Sequence, residues 1–297
     1  METARNLLED FVQLFRGRGD AYGGWEGVCI RKPLTIDTFE RHLDGSELVG
    51  VYPLVPYEEA WGCVWGCSDI DVDDLDAARN LQTAFAVKGI HSWVERTRKG
   101  YHVWVFANSL VPATTMRRAF LAAHQAIQYP AKEVNPKQED PGAGFGNYVR
   151  LPYPHGFSGI PENRYVLDDN DEPMTLEQFV NVAMLHRTSR GDLQEIADKW
   201  VPPVRHTVQF TETTDDVNEL LRRMSPLPWV IWRDGPLEGR DRSSTMYRMT
   251  CLMRQDGFTP QETFILVKTA DERWGKFHLR RDCDKEIIRL VERVFSE

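Results

Sequence analysis

Two alternating apolar runs, IHSWVE and YHVWVFA, stand on either side of RTRKG and constrain the chain more than any other feature. Successive strand side chains point to opposite faces, so this pattern around a short Gly-containing turn predicts an antiparallel hairpin. Ahead of it, VWGCSDIDV predicts a buried strand ending in acids, and LDAARNLQTAFAVKG a helix closed by Gly89. Behind it, TTMRRAFLAAHQAI predicts a second helix capped by Thr114 or Thr115, with short strands at AKEVN and GNYVRLPY. That order implies an α+β domain in which helices back a sheet.

The pattern changes at KWVPPVRHTVQFTETTDD, where paired prolines and a polar run form a seam. Beyond it only helices are expected. VNELLRRM starts one, and SSTMYRMTCLMRQDGF makes another with Ser243 or Ser244 as N-cap and Gly257 past its end. In TPQETFILVKTADERW, Thr259 caps, Pro260 takes the first helical position and Glu262 completes a capping box. Residues 282–295 make the last helix. The expected domains are 1–205 and 217–297, joined by a linker at 206–216.

The chain of 297 residues, 41% hydrophobic and 11% aromatic, has enough apolar side chain for a packed core, which excludes disorder. It has no run long and apolar enough to span a bilayer, and its first twenty residues lack the features of a secretory signal. A cytoplasmic protein of a bacterial or phage-infected cell, with no membrane partner, is expected. Of the five cysteines only Cys63 and Cys67 are close, and no further ligand pair completes a zinc-like set. They read as small apolar residues of a buried strand.

A net charge of −9 argues at first against a nucleic-acid partner. The charge is uneven, however. Residues 217–297 carry 15 Lys/Arg against 13 Asp/Glu, and residues 1–216 carry 21 against 32. Much of the acidic excess lies in Asp69 to Asp76 and Asp168 to Glu172, each either a solvated loop or a cation site.

Asp69 and Asp71 are two apart at a strand end, so both side chains share a face roughly 7 Å apart. Such a pair repels itself unless cations intervene, which is the arrangement phosphoryl chemistry with magnesium needs. Asp73, Asp74 and Asp76 suit a helix cap or solvent. His102 shares a strand face with Trp104, where a purely structural histidine is the commoner case. Glu133 is a further possible metal ligand, with Glu139 and Asp140 as fallbacks. Lys137, four residues on from Glu133, and Arg150 in GNYVRLP are cations suited to phosphate. Singly, each is an ordinary surface charge.

In their order, DxD at a strand end, a histidine on a hairpin strand, then an acid in EVNPKQ followed by FGNYVRLP, these elements resemble the archaeo-eukaryotic primase superfamily. The version is that of phage, plasmid and conflict-system primase-polymerases, and the resemblance runs from Gly50 to Pro154. Within residues 238–295, EGRDRSSTMYRM and GFTPQETFILVKTADERWGKF resemble the helical domain that follows such cores. The chain departs from the family in carrying Gly100 where Ser often stands two residues before the histidine.

The resemblance implies an α+β catalytic core with an RRM-like antiparallel sheet and helices, followed by a small all-α domain. It implies a nucleotidyltransferase that extends nucleic acid on a DNA template with two Mg²⁺ or Mn²⁺ ions held by Asp69, Asp71 and Glu133. His102, Lys99, Lys137, Arg150 and Arg98 would surround the triphosphate of an NTP or dNTP. Arg240, Arg242 and Arg248 would hold single-stranded DNA template or primer, or else simply belong to a stabilising helical cap. Trp229, Trp232 and Trp274 are expected mainly in the core. The chain contains no GxxxxGK[ST], so a helicase would be a separate partner or a fused one. Two rival classes use the same residues: a metal-dependent nuclease or phosphoesterase, and a catalytically idle nucleic-acid-binding module.

Overall fold

A computed structural model describes residues 2–202, 216–236, 241–280 and 282–296. The chain divides into two compact units, 1–201 and 202–297. The expected linker at 206–216 lies outside the described residues except for Asp216.

In the first unit, strands run in the order β1 (Tyr22–Gly23), β2 (Cys29–Ile30), β3 (Gly50–Val51), β4 (Val55–Tyr57), β5 (Ala60–Ile70), β6 (Trp93–Arg96), β7 (Tyr101–Pro112), β8 (Glu133–Asn135), β9 (Val149–Arg150) and β10 (Tyr165–Val166). The helices are α1 (Glu2–Leu14), α2 (Ile36–Asp44), α3 (Leu75–Ala86), α4 (Ala113–Ala126), α5 (Leu176–Leu185) and α6 (Arg190–Ala197). The larger sheet has the order β10-β6-β7-β5-β4, with β8 pairing β5, and the smaller has the order β2-β1-β3-β9. Each strand pair is antiparallel. The fold is thus α+β, with an antiparallel central sheet.

Both faces of β5 and β7 are covered, which is why WGCVWGC and VWVF show little polar relief. Ile70, Val94, Val103 and Val105 join one apolar cluster with residues of α3, α4 and α6. Trp65, Cys67, Trp104 and Phe106 join a second with residues of α1, α2 and α5. Trp65 and Trp104 meet edge-on at 5.3 Å between centroids, worth about 0.5–1.5 kcal/mol beyond the area buried. Cys63 and Cys67 are fully buried, and burial raises both thiols, Cys63 to about 12.

Helix caps differ in detail from the sequence expectation. Pro112 occupies the N-cap of α4 without a side-chain bond. Thr115 instead turns inward and donates to Gln194 of α6 at 2.8 Å, fastening the two helices together. The loop before α3 sorts the acid run: Asp74 caps that helix by accepting from Ala77 N–H, and Asp73 binds Arg96 and Tyr101 of the hairpin. In the second acid run, Asp168 accepts from the Asn170 and Glu172 amides, both at 2.8 Å, and Asp171 pairs with Arg79. That run is a tied turn.

The second unit holds α7 (Val217–Arg223), α8 (Pro226–Asp234), α9 (Arg242–Gln255), α10 (Pro260–Trp274) and α11 (Cys283–Ser296) around a core of Met246, Met249, Met253, Leu266 and Val291. Asp241, rather than Ser243 or Ser244, caps α9, because its carboxylate reaches the Ser244 amide at 2.8 Å. Thr259 and Glu262 form the expected capping box. Trp229, Trp232 and Trp274 pack on this core. The indole N–H of Trp232 donates to the Leu266 carbonyl and that of Trp274 to the Trp232 carbonyl.

His42 on α2 ties the first unit together. Val49 N–H donates to its Nδ1 at 3.3 Å, which leaves Nε2–H to donate to the Pro152 carbonyl at 2.8 Å. Burial holds this imidazole down to about 4 from an ordinary 6.5, against the pull of the Pro152 carbonyl. The folded state therefore takes up this proton later than the unfolded chain. Stability from the neutral ring is complete above pH 6.5 and lost as pH falls toward 4, by up to about 3 kcal/mol. Denaturant melts from pH 7 to 4 should show this loss in the wild type. It should be missing from the His42→Gln curve itself and so stand out in the difference between the two, and parallel curves would refute the assignment.

Candidate active site

Cross-strand register puts four ionisable residues in one line. Glu95 of β6 stands opposite His102 of β7, His102 opposite Asp69 of β5, and Asp69 opposite Glu133 of β8. Direct partners in antiparallel strands have Cβ atoms about 4.5–5.5 Å apart on the same face, so the four side chains form a continuous row. The face is the one that carries Cys67, Trp104 and Phe106.

Exposure rises along the row. The Glu95 side chain is 0% exposed, His102 7%, Asp69 26% and Glu133 43%. At the dry end Glu95 Oε2 accepts from His102 Nδ1 at 2.8 Å and from the Trp104 indole at 2.7 Å, while Oε1 faces Arg164 Nη1 at 3.4 Å. A fully buried carboxylate needs such partners, and removing one member of a buried set costs about 3–5 kcal/mol. His102 Nε2 then points at Asp69, 3.6 Å away. Burial alone would lower the His102 pKa, but the adjacent Glu95 and Asp69 carboxylates outweigh it and raise it to about 9. Burial likewise pushes Asp69 up, and His102 with neighbouring cations brings it below its ordinary value.

At the wet end the row opens into a cavity of about 550 Å³. Asp69, Asp71, Glu133 and His102 line it together with Arg98, Lys99, Arg150 and Arg164. Arg98 and Lys99 come from the hairpin tip and are exposed. Arg150 sits on β9 opposite Gly50 of β3. Lys137 reaches Glu133 at 2.8 Å in a half-exposed pair. A second hollow of about 690 Å³ shares Arg98, Arg150 and Arg164, with the exposed Trp25 on its wall. The fallback acids Glu139 and Asp140 do not line the acid cavity. Of the helical-unit arginines, Arg242 donates to the Gly275 carbonyl at 3.1 Å and Arg248 is exposed beside Leu227 and Val230. Arg240 lies outside the described residues.

Among the described residues no three His, Cys, Asp or Glu side chains converge as a ready-made metal cage. Glu133 is turned to Lys137 and Asp69 to His102. The donor set nevertheless fits Mg²⁺ or Mn²⁺, which take hard oxygen ligands. Mg²⁺ commonly binds through one or two carboxylates plus water and substrate phosphate rather than a closed protein cage.

Three residues of this site escape the sequence reading. Glu95 could have been found by counting the hairpin register back from Gly100. Tyr148 lies in GNYVRLP, and its ring covers Gly23 and Gly50 so closely that an added Cβ at either would sit within 2.4 Å of it. Arg164, at a positive φ of 66° in the loop before β10, has no local signal.

The sequence from residue 30 to 196 matches the family described as the archaeo-eukaryotic primase domain of the TOTE conflict system. The chain belongs to that primase family. A crystal structure of the primase RepB' is similar at a TM-score of 0.31 and 13% identity, over 98% of this chain and 93% of that one. That likeness is too distant to carry any argument. No curated protein matches. Members of the family generally use divalent metals. No described helix is long and apolar enough to cross a membrane.

Gly100 lies hard against the end of the DxD strand. A Cβ on Gly100 would lie 2.0 Å from the Ile70 carbonyl oxygen and 2.6 Å from that of Val72, both backbone atoms beside the DxD. A side chain there, such as the Ser that the family resemblance leads one to expect, cannot be accommodated without moving one of the two segments. Gly100→Ser should therefore lower stability by about 1–3 kcal/mol in denaturant melts. An unchanged midpoint would show that the hairpin tip can back away freely.

Proposed function

We propose that the chain is a template-dependent DNA primase-polymerase that joins nucleotides from NTPs or dNTPs. The observation that carries this reading is the single cavity in which three carboxylates adjoin a histidine and four guanidinium or ammonium groups. Phosphoryl transfer is chiefly positioning and charge stabilisation, and this wall offers both signs of charge at one place. Water as nucleophile, in a nuclease, would leave the cations on the triphosphate side without a task.

In the reaction a 3′-hydroxyl attacks an α-phosphate and pyrophosphate leaves. Asp69, Asp71 and Glu133 would hold two Mg²⁺ or Mn²⁺ ions, which when bound supply a more acidic hydroxyl and neutralise charge on the leaving group. Arg98, Lys99, Arg150 and Arg164 orient the triphosphate, and His102 Nε2 donates toward it. Separating Glu133 from Lys137 frees the carboxylate and gives a phosphate an ammonium partner. An exposed pair of this kind is worth only about 0–1 kcal/mol, so substrate can readily displace it.

The proposed partners are a single-stranded DNA template, a primer, and a helicase, separate or fused, with the cytoplasm of a bacterial or phage-infected cell as the setting. Residues 1–205 are proposed as the catalytic domain and 217–297 as a helical domain whose Arg240, Arg242 and Arg248 meet template phosphates. Binding through those phosphates weakens steeply with salt. Arg248→Gln should flatten the slope of log K against log salt by about 0.7. An unaltered slope would leave the helical unit as a cap.

Labelled nucleotides offered with Mn²⁺ on single-stranded and primed DNA should be incorporated by the wild type. The Asp69→Ala/Asp71→Ala variant should lose at least about 10²-fold in rate, because several kcal/mol of charge stabilisation go with the ligands. Equal products from the variant would overturn the assignment. Metal-dependent loss of the DNA itself would point to the nuclease, and binding without either activity to an idle module.

A further inference from the structure

We infer that Glu95 is a positioning residue of this site, acting through His102. The inference rests on the reading that the cavity takes a nucleoside triphosphate. Glu95 touches no part of that cavity, since its side chain is fully buried beneath the sheet face. Its contacts all run to groups that face the cavity or wall them in.

Oε2 accepts from His102 Nδ1 at 2.8 Å, so the Nδ1 position carries a proton and Nε2 is aimed outward toward Asp69. A histidine has two ring nitrogens, and the partner of one determines what the other can do. The Trp104 indole donates to the same oxygen at 2.7 Å, which gives the carboxylate a second anchor beside the imidazole. The other oxygen faces Arg164 at 3.4 Å, and Arg164 lines the cavity. One buried carboxylate thus sets the direction of two phosphate-facing donors from neighbouring strands and a loop. Among the described residues neither donor has another carboxylate behind it, as Asp69 lies in front of His102, on the cavity side. Loss of such a partner behind an active group typically costs 10–100-fold in binding or rate, with the active group itself intact.

The decisive experiment is a double-mutant cycle of Glu95→Gln and His102→Ala. It is read as KM and kcat for incorporation, and as the affinity of a non-hydrolysable nucleoside triphosphate in Ca²⁺. Glu95→Gln keeps shape and an acceptor but cannot orient both donors. It should weaken triphosphate affinity, and raise KM, by about 10–100-fold. In the His102→Ala background the same change should cost several-fold less than in the wild type, because only the Arg164 contact is left for it to act through. Multiplying losses, or a lowered melting temperature with unchanged KM, would make Glu95 a packing residue and overturn the inference.

Should Glu95→Gln fail to fold, ¹⁵N–¹H spectra of the wild-type imidazoles decide. The His102 Nδ1 proton should stay in place when triphosphate is added while the Nε2 resonance moves. Movement of both, or of neither, would refute the role. A wild type that binds triphosphate with a non-additive cycle but incorporates nothing would sink the polymerase reading and leave this inference standing. Failure to bind triphosphate would remove both.

Discussion

Asp69 is paired on both sides at once, with His102 across one edge of its strand and Glu133 across the other. Everything in the candidate site depends on that register. A slip of one residue in either pairing would send a side chain through the sheet into the apolar cluster of Val103, Val105 and Val134. Such a slip is strongly opposed, because the residues between the polar positions are buried on the far face. The hydrophobic pattern that folds the sheet is therefore also what aligns its carboxylates.

The row also resolves a conflict of charge. Three acids in line with one histidine would repel one another in a uniformly dry interior. Here the deepest acid faces an imidazole, an indole and a guanidinium, and the next faces the imidazole. The outermost acid meets solvent and a lysine. Each carboxylate has a donor suited to its depth, and only the outer ones are free to exchange that donor for a cation. Rigidity and reactivity thus lie at opposite ends of one line.

The hairpin, the helices around it and the DxD strand were legible because period-two and 3.6-residue patterns depend on local chemistry alone. The acids were sorted less well. Nothing local separates Asp71, which lines the cavity, from Asp73, which clamps the hairpin through Arg96 and Tyr101. Both follow the same strand, and only the neighbouring hairpin distinguishes them. Caps were misread for the same reason: Thr115 looks like a helix start until α6 supplies an inward partner. Glu95 reads as the polar end of an alternating run, and its importance emerges only once His102 is known to lie opposite. Arg164 depends on a loop whose path no propensity records.

The contact of Gly100 with the backbone at Ile70 and Val72 makes the hairpin turn and the acid-bearing strand end a single mechanical part. Neither can move without carrying the other along. A side chain added at Gly100 would collide with that strand end unless both segments shifted together. The unit that has to shift as one is the touching pair, though some thirty residues separate its halves along the chain.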